Sequence, residues 1–161
     1  MATIRSVLFV CTGNIFRSMT AEYALRRALG QSSITVASAG TAHRPTLTVR
    51  EDVAEYLAGL GLNVSGHRRR TIDAHIAADA GLVIAMHTDH RQHLEDAFGI
   101  TAPLYSEACT GHARDMPDVD DLFEPKDFLS PAAIEHVRRT IDWIIADAPK
   151  LAARLQSDGR F

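Results

Sequence analysis

Four short hydrophobic runs along the chain have the length and composition of buried β-strands. Aliphatic and aromatic residues dominate them, and polar or turn-forming residues border them, which favours strands over helices. The third run is hydrophobic at nearly every position, as is typical of a strand covered by helices on both faces. We therefore predict strands at residues 5–10, 34–38, 81–86 and 102–105.

Apolar residues between these runs recur every three or four positions, which is the period of an amphipathic helix. The first predicted helix starts near Ser18, and Gly30 provides its C-terminal stop. A second helix ends near Gly61, a third follows the third strand, and a long final helix runs from about residue 130 to about residue 155. The polar segment between residues 109 and 129 is too long for a connector, and long loops of this kind are often functional.

The alternation of strands and helices predicts an α/β fold, namely a doubly wound parallel sheet of four strands with helices on both faces. A chain of 161 residues suits one domain, so we predict a single domain over residues 1–161. Ligands of such sheets bind at the carboxyl ends of the strands. The loop after the first strand is therefore the first candidate for a functional site.

The composition is that of an ordinary globular protein, with 46% hydrophobic and 23% charged residues. The formal net charge of −3 argues against a protein that binds the phosphate backbone of nucleic acids. The hydrophobic runs are too short for a signal peptide or a membrane span, so no membrane association is expected. The two cysteines, Cys11 and Cys109, are expected to be free thiols in a reducing, cytoplasmic compartment.

The loop at residues 11–18 has the features of a preformed phosphate site. It joins a strand to a helix N-terminus, where free backbone N–H groups and the helix dipole attract an anion. Gly13 allows the backbone to approach closely, and Asn14 tolerates a left-handed conformation. The Arg17 guanidinium can bind two oxygens of a phosphate. The same groups favour the thiolate of Cys11, which would then be a nucleophile at neutral pH.

The sequence of residues 7–18, with Ala21-Glu22 after it, strongly resembles the signature of the low-molecular-weight protein tyrosine phosphatases. Residues 38–41, 65–68 and 116–118 resemble further landmarks of that family, in the family's order. The similarity therefore extends far beyond the loop. It implies that the protein hydrolyses aryl phosphate monoesters, with a phosphotyrosine-containing protein as substrate and inorganic phosphate as product.

The resemblance also implies a two-step reaction that needs no metal and no cofactor. Cys11 would attack phosphorus to form a phosphocysteine, which water then hydrolyses. Arg17 and the loop amides would bind the phosphate oxygens, while Asp118 would protonate the leaving oxygen and then activate water. The substrate-binding residues implied by the resemblance are Thr12, Gly13, Asn14, Ile15, Phe16 and Ser18.

Three polar residues are given supporting roles by the same resemblance. Ser18 would hydrogen-bond the sulfur of Cys11 and help it leave. Ser38 and His67 would hold Asn14 in its unusual conformation through their side chains.

The chain departs from the family pattern at two places. Asp118 is followed by Val119-Asp120-Asp121, where the family usually has proline and one or two aromatic residues. The aromatic wall for a phosphotyrosine ring is missing there, and Asp120 becomes a rival general acid. Phe16 occupies a position where many members have a second loop cysteine, so no protective disulfide with Cys11 can form.

Two other functions stay open on the sequence alone. A thiol-linked arsenate reductase of the same fold would also use an oxyanion loop, but it usually needs two further cysteines, and residues 75–100 contain none. A catalytically weak oxyanion-binding module is the second alternative, suggested by the departures after Asp118. Ile15 agrees with the tyrosine-specific members of the family and disfavours phosphoarginine as the substrate.

The remaining polar clusters are interpreted as structural. His87, His90 and His93 are predicted to be surface residues rather than a metal site, because steps of three rotate progressively around a helix. Residues 68–70 are three arginines, interpreted as a solvated cluster that could also steer anionic substrates. Cys109 is interpreted as a structural thiol.

Overall fold

A three-stranded parallel sheet forms the centre of the molecule. The computed structural model describes residues 3–157, and its strands are β1 (Ser6–Cys11), β2 (Thr35–Gly40) and β3 (Leu82–Ala85). The order in the sheet is β2–β1–β3, and β1 pairs in parallel with both neighbours. The first three predicted strands are therefore confirmed, with small shifts at their ends.

Helices flank this sheet and supply most of the remaining core. The long final helix packs against the first one, and both lie on the same face of the sheet. The polar segment after Cys109, which the sequence left without assigned structure, contains one short helix and a 3-10 turn at Pro125–Asp127. The helices are α1 (Arg17–Leu29), α2 (Glu51–Gly59), α3 (Ala74–Asp79), α4 (Thr88–Phe98), α5 (Tyr105–Thr110), α6 (Val119–Leu122) and α7 (Pro131–Ser157).

The central strand β1 divides the core into two parts, one on each face of the sheet. Its side chains alternate, because successive residues of a strand point to opposite faces. Val7, Phe9 and Cys11 belong to the core shared with α1, α2, α5 and α7. Leu8 and Val10 belong to the core shared with α3 and α4. Burial on both faces explains why the strand is hydrophobic at nearly every position.

The fourth predicted strand, at residues 102–105, is wrong. In the part of the chain that the structure describes, a single bridge between Ala85 and Leu104 joins this segment to β3. Ala85 N–H donates to the Pro103 carbonyl at 2.9 Å. Proline has no N–H to extend a ladder, and the chain turns into α5 at Tyr105. The hydrophobic character of the segment reflects burial, since Leu104 lies in the second core.

The connection from β1 to α1 places the loop at residues 11–18 at the carboxyl end of the sheet. Cys11 is the last residue of β1 and Arg17 is the first residue of α1. The short α6 lies beside the same edge, because its N-cap residue Asp118 is hydrogen-bonded to Arg17. Within residues 3–157 no helix combines the length and the apolar character that crossing a membrane requires.

Candidate active site

The loop between β1 and α1 curls around the sulfur of Cys11. Cys11 Sγ accepts a hydrogen bond from Asn14 N–H at 3.3 Å and lies 2.9 Å from Ser18 Oγ. Asn14 has a φ of 57°, the only positive φ of a non-glycine residue within the described range 3–157. This left-handed turn reverses the chain, and asparagine adopts it more readily than most residues do.

The carbonyl oxygens of Gly13 and Asn14 point away from the sulfur. Arg69 Nε donates to the Gly13 carbonyl at 2.9 Å, and His67 Nε2 lies 2.7 Å from the Asn14 carbonyl oxygen. In a trans peptide the carbonyl and the following N–H point in opposite directions, and no cis peptide occurs in the described chain. The N–H groups of Asn14 and Ile15 therefore face the inside of the loop, where they can donate hydrogen bonds to an anion.

The side chain of Asn14 is held at both ends. Its Nδ2 donates to Ser18 Oγ at 2.9 Å and to Ser38 Oγ at 2.8 Å, and its Oδ1 accepts from Arg70 N–H at 3.1 Å. The structure thus brings together the three residues to which the resemblance gives supporting roles: Ser18 beside the sulfur, and Ser38 and His67 on Asn14.

Glu22 sets the direction of this hydrogen-bond chain. Its buried carboxylate accepts from Ser38 Oγ at 2.7 Å, so the Ser38 hydroxyl proton points towards Glu22. An ionised carboxylate only accepts, and Asn14 Nδ2 only donates, which leaves the Ser18 hydroxyl proton for Cys11 Sγ. A hydroxyl that donates to sulfur stabilises the thiolate form. The sequence analysis missed this role of Glu22.

Two of the three arginines at residues 68–70 are structural, which corrects their interpretation as a solvated cluster. Arg69 donates to the carbonyls of Gly13 and Ala42, the latter at 2.7 Å. Arg70 Nε donates to the Ser38 carbonyl at 3.1 Å. Arg69 thus satisfies the Gly13 carbonyl that the loop turns outwards, and the other two bonds tie the arginines to β2 and to the segment after it. No sequence pattern signalled this, because the contacts join residues far apart in the chain.

Arg17 forms the second wall of the anion site. Its side chain is 2% exposed, Nη1 donates to the Met116 carbonyl at 2.7 Å, and Nη2 donates to Asp118 Oδ2 at 2.9 Å. Its Nε is buried without a hydrogen-bond partner among the described residues. A buried polar N–H without a partner is costly in a folded protein, and an anion oxygen above Cys11 would satisfy it.

Asp118 and Asp120 both line the cleft above this loop. Asp118 is the N-cap of α6, where its Oδ1 accepts from Val119 N–H at 2.7 Å. Asp121 Oδ2 in turn accepts from Asp118 N–H at 2.7 Å, which completes a capping box. Partial burial, together with the charges of Asp118 and Asp121, raises the pKa of Asp120 above the usual value for an aspartate.

The cleft has a volume of about 370 Å³ and carries one aromatic wall that the sequence analysis missed. Phe128, which follows the 3-10 turn, lines the cleft together with Leu47 and Val53. Arg50 holds the Phe128 carbonyl at 3.0 Å and binds Asp52 with two hydrogen bonds of 2.8 and 2.9 Å. Phe128 lies ten residues after Asp118 in the sequence, so the local motif gave no signal for it.

His90 is buried, which corrects its prediction as a surface residue. It is 3% exposed, and its Nε2 lies 2.9 Å from Thr12 Oγ1. Desolvation, helped by the nearby positive charge of Arg17, lowers the pKa of His90 to about 3. The neutral ring therefore anchors the loop to α4. His87 instead caps α4, where its Nδ1 accepts from Asp89 N–H at 3.2 Å.

The parallel sheet and the loop define a class of protein that binds a tetrahedral oxyanion directly above a cysteine. Comparison with known proteins agrees with this class. A family model described as low molecular weight phosphotyrosine protein phosphatase matches residues 6–160. The chain belongs to this family, whose members are phosphatases.

The individual relatives found by sequence comparison have low sequence identity to this chain. The chain is 35% identical over 85 residues to the low molecular weight protein-tyrosine-phosphatase Etp of Escherichia coli K12, covering 53% of this chain and 56% of that protein. It is 26% identical over 142 residues to the probable phosphatase EpsP of Ralstonia nicotianae, covering 88% and 94%. The chain spans only 56% to 65% of the length of the first curated relatives that it matches.

Solved structures of the same fold cover nearly the whole chain. A mutant of the arginine phosphatase YwlE with a phosphorylated active-site serine superposes with a TM-score of 0.80 at 25% identity, covering 95% of this chain and 97% of that one. The tyrosine phosphatase Wzb from Escherichia coli K30, in complex with sulphate, gives a TM-score of 0.77 at 23% identity, covering 95% and 99%. These similarities confirm the predicted α/β fold class, although the sheet has three strands.

Proposed function

We propose that this protein is a cysteine-dependent phosphatase that hydrolyses aryl phosphate monoesters, with phosphotyrosine on a protein as its substrate. The observation that supports this most strongly is the position of Cys11 Sγ, which accepts a hydrogen bond from Asn14 N–H and lies 2.9 Å from the Ser18 hydroxyl oxygen. A cysteine sulfur held at the base of such a loop is placed to act as the nucleophile. We assign residues 1–161 to one phosphatase domain, because every group of the site comes from a single sheet and its connections.

Cys11 attacks phosphorus in line in the first step. The sulfur–phosphorus bond forms while the bond from phosphorus to the leaving oxygen breaks, and the leaving oxygen takes up a proton. Arg17 and the N–H groups of the loop, from Thr12 to Ser18, bind the non-bridging oxygens as charge redistributes. In the second step water displaces sulfur, and inorganic phosphate leaves. The phosphorylated active-site serine in the related YwlE mutant is consistent with a covalent intermediate at this position.

Asp118 is our choice for the general acid of the first step and the base of the second. It lies in the cleft at the family's acid position, 2.9 Å from Arg17. A phosphate bound above Cys11 would compete with Asp118 for the hydrogen bonds of Arg17. Asp120 also lines the cleft, and its raised pKa keeps it a rival for this role.

Phe128 supports a substrate in which the leaving group is aromatic. It supplies an aromatic surface in the cleft, although the residue after Asp118 is Val119 rather than an aromatic. An aromatic ring in contact with Phe128 and Leu47 would be held by burial and by ring–ring contact. A protein that carries phosphotyrosine would supply such an aromatic leaving group. We place the reaction in the cytoplasm, because a reducing compartment keeps Cys11 as a thiol.

The first experiment measures turnover of p-nitrophenyl phosphate with a chelator present. We expect the wild-type protein to be active, Cys11→Ser to be inactive and vanadate to inhibit. Cys109→Ser is the matched control, because Cys109 is a buried thiol outside the cleft and its pKa is raised to about 12 by burial. Tight phosphate binding without turnover would instead indicate the oxyanion-binding module.

A second candidate substrate is phosphoarginine. The similarity to the arginine phosphatase YwlE favours it, and so does the pair of carboxylates in the cleft, Asp118 and Asp120, which could bind a guanidinium group. Comparing phosphotyrosine, phosphoserine and phosphoarginine on one preparation decides between the two. Arsenate with a thiol reductant tests the arsenate reductase alternative, for which the chain supplies only Cys109 as a further cysteine.

A further inference from the structure

A second depression lies directly beside the catalytic cleft. Its volume is about 620 Å³, which is in the range of pockets that hold ligands. We call it the flank groove and define it by Ile15, Leu47, Glu55, Ala58, Val64 and Arg68. The mechanism described above uses neither Glu55 nor Arg68.

Ile15 and Leu47 form the ridge that separates the flank groove from the cleft. Both residues line both cavities. Both also lie close to Gly13, since a Cβ on Gly13 would be 3.4 Å from Ile15 Cγ1 and 3.5 Å from Leu47 Cδ1. A phosphorylated side chain that reaches Cys11 through the cleft must leave its own backbone at the mouth. Neighbouring residues of a substrate that crosses this ridge would enter the flank groove.

The floor and the rim of the flank groove have different chemistry. Val64, which is 5% exposed, and Ala58 offer apolar surface. Arg68 on the rim is exposed and makes no ion pair with any described residue, and its guanidinium donates only to the His67 carbonyl at 3.2 Å. Glu55 also lines the groove, from α2. The rim near the loop is therefore positive.

We propose that the flank groove binds the polypeptide segment next to the phosphorylated residue and selects segments with an acidic side chain that pairs with Arg68. The proposal rests on the proposed function, because it describes the substrate of the same site. Continuity with the cleft and the unpaired charge of Arg68 are the observations that support a peptide of this chemistry. Most of the donors of Arg68 stay available to a carboxylate.

The test compares phosphotyrosine peptides that carry glutamate, alanine or lysine beside the phosphotyrosine, with p-nitrophenyl phosphate as a substrate that cannot reach the groove. Arg68→Ala should lower kcat/KM for the glutamate peptides by about three- to fivefold and leave p-nitrophenyl phosphate unchanged. Arg68→Glu should reverse the preference in favour of the lysine peptides. Arg139→Ala removes an equal charge from an exposed position on α7 and should change neither substrate.

A second variant tests the groove without changing charge. Ala58→Trp places a large ring in the groove from an exposed helix position, so it should lower kcat/KM for every peptide and leave p-nitrophenyl phosphate unchanged. Equal kcat/KM for all peptides in the wild type, or equal losses in Arg68→Ala and Arg139→Ala, would overturn the groove proposal alone. Inactivity of the wild type towards p-nitrophenyl phosphate would overturn the proposed function instead.

Discussion

Replacing Gly40 by alanine tests how closely β2 must approach the anion loop. Gly40 is the last residue of β2 and pairs with Cys11 across the sheet. A Cβ at this position would lie 2.5 Å from the Thr12 carbonyl oxygen and 3.2 Å from both Asn14 Cβ and the Gly13 carbonyl carbon. Cβ atoms essentially never come within 3.0 Å of a non-bonded heavy atom, so the loop and β2 must separate here by at least about 0.5 Å.

This displacement should damage both stability and activity. Forcing a methyl group into a well-packed site costs about 1–3 kcal/mol. For a chain of this length, that lowers Tm by about 2–12 °C. Misplacing catalytic groups by a similar distance lowers kcat/KM by about 10- to 100-fold. Thermal unfolding, together with steady-state turnover of p-nitrophenyl phosphate, measures the two effects in one preparation of Gly40→Ala.

Gly59→Ala is the matched control for this substitution. Gly59 is in α2, and a Cβ there would have no atom within 4 Å. Alanine should therefore leave turnover unchanged and raise the free energy of unfolding by up to about 1 kcal/mol. Wild-type turnover and wild-type Tm in Gly40→Ala would refute the reasoning. They would show that the site works and folds normally when the Thr12 carbonyl and β2 are pushed apart.

Three further predictions concern protons and oxidation. Asp118→Ala should lose about 10²- to 10⁴-fold in kcat for phosphotyrosine, whereas Asp120→Ala should stay near the wild-type rate; the reverse result would make Asp120 the acid. Cys11 should be over-oxidised by peroxide, because Phe16 provides no resolving thiol. Activity should then not return with dithiothreitol, and full recovery would contradict this. The pKa of His90 is lowered to about 3 from 6.5, so the unfolded chain binds a proton below pH 6.5 that the folded chain does not. The free energy of unfolding should therefore be unaffected by this group above pH 6.5 and should be lower by about 2 kcal/mol at pH 5. Urea unfolding of the wild type and of His90→Gln, each above pH 6.5 and at pH 5, measures this. If the two proteins lose the same free energy of unfolding at pH 5, His90 is excluded as the cause.

The sequence predicted the part of the site that is local in the chain. Cys11, Asn14 and Arg17 lie within one strand–loop–helix connection, where spacing alone determines which groups can meet around an anion. The positive φ of Asn14 agrees with the expectation that asparagine tolerates this conformation. The first three strands were predictable for a similar reason, since burial on both faces leaves a nearly continuous hydrophobic run.

The rest of the site depends on tertiary contacts that no local pattern encodes. Phe128 reaches the cleft only because α6 and the 3-10 turn bring the chain back, and Arg50 then holds its carbonyl. His90 has the spacing of a surface residue on a helix, yet its partner Thr12 lies 78 positions away. The error at residues 102–105 has another cause, because hydrophobicity reports burial and not hydrogen bonding.

The outward-facing carbonyls of the loop have a consequence for how the protein acquires its activity. His67 and Arg69 hold those carbonyls from positions 53 and 56 residues further along the chain. Contacts of such sequence separation form only after a large part of the chain has been ordered, because closing long segments is entropically costly. A nascent chain that has emerged only as far as α1 therefore contains the nucleophile and the guanidinium, but it does not yet have a shaped receptor for phosphate.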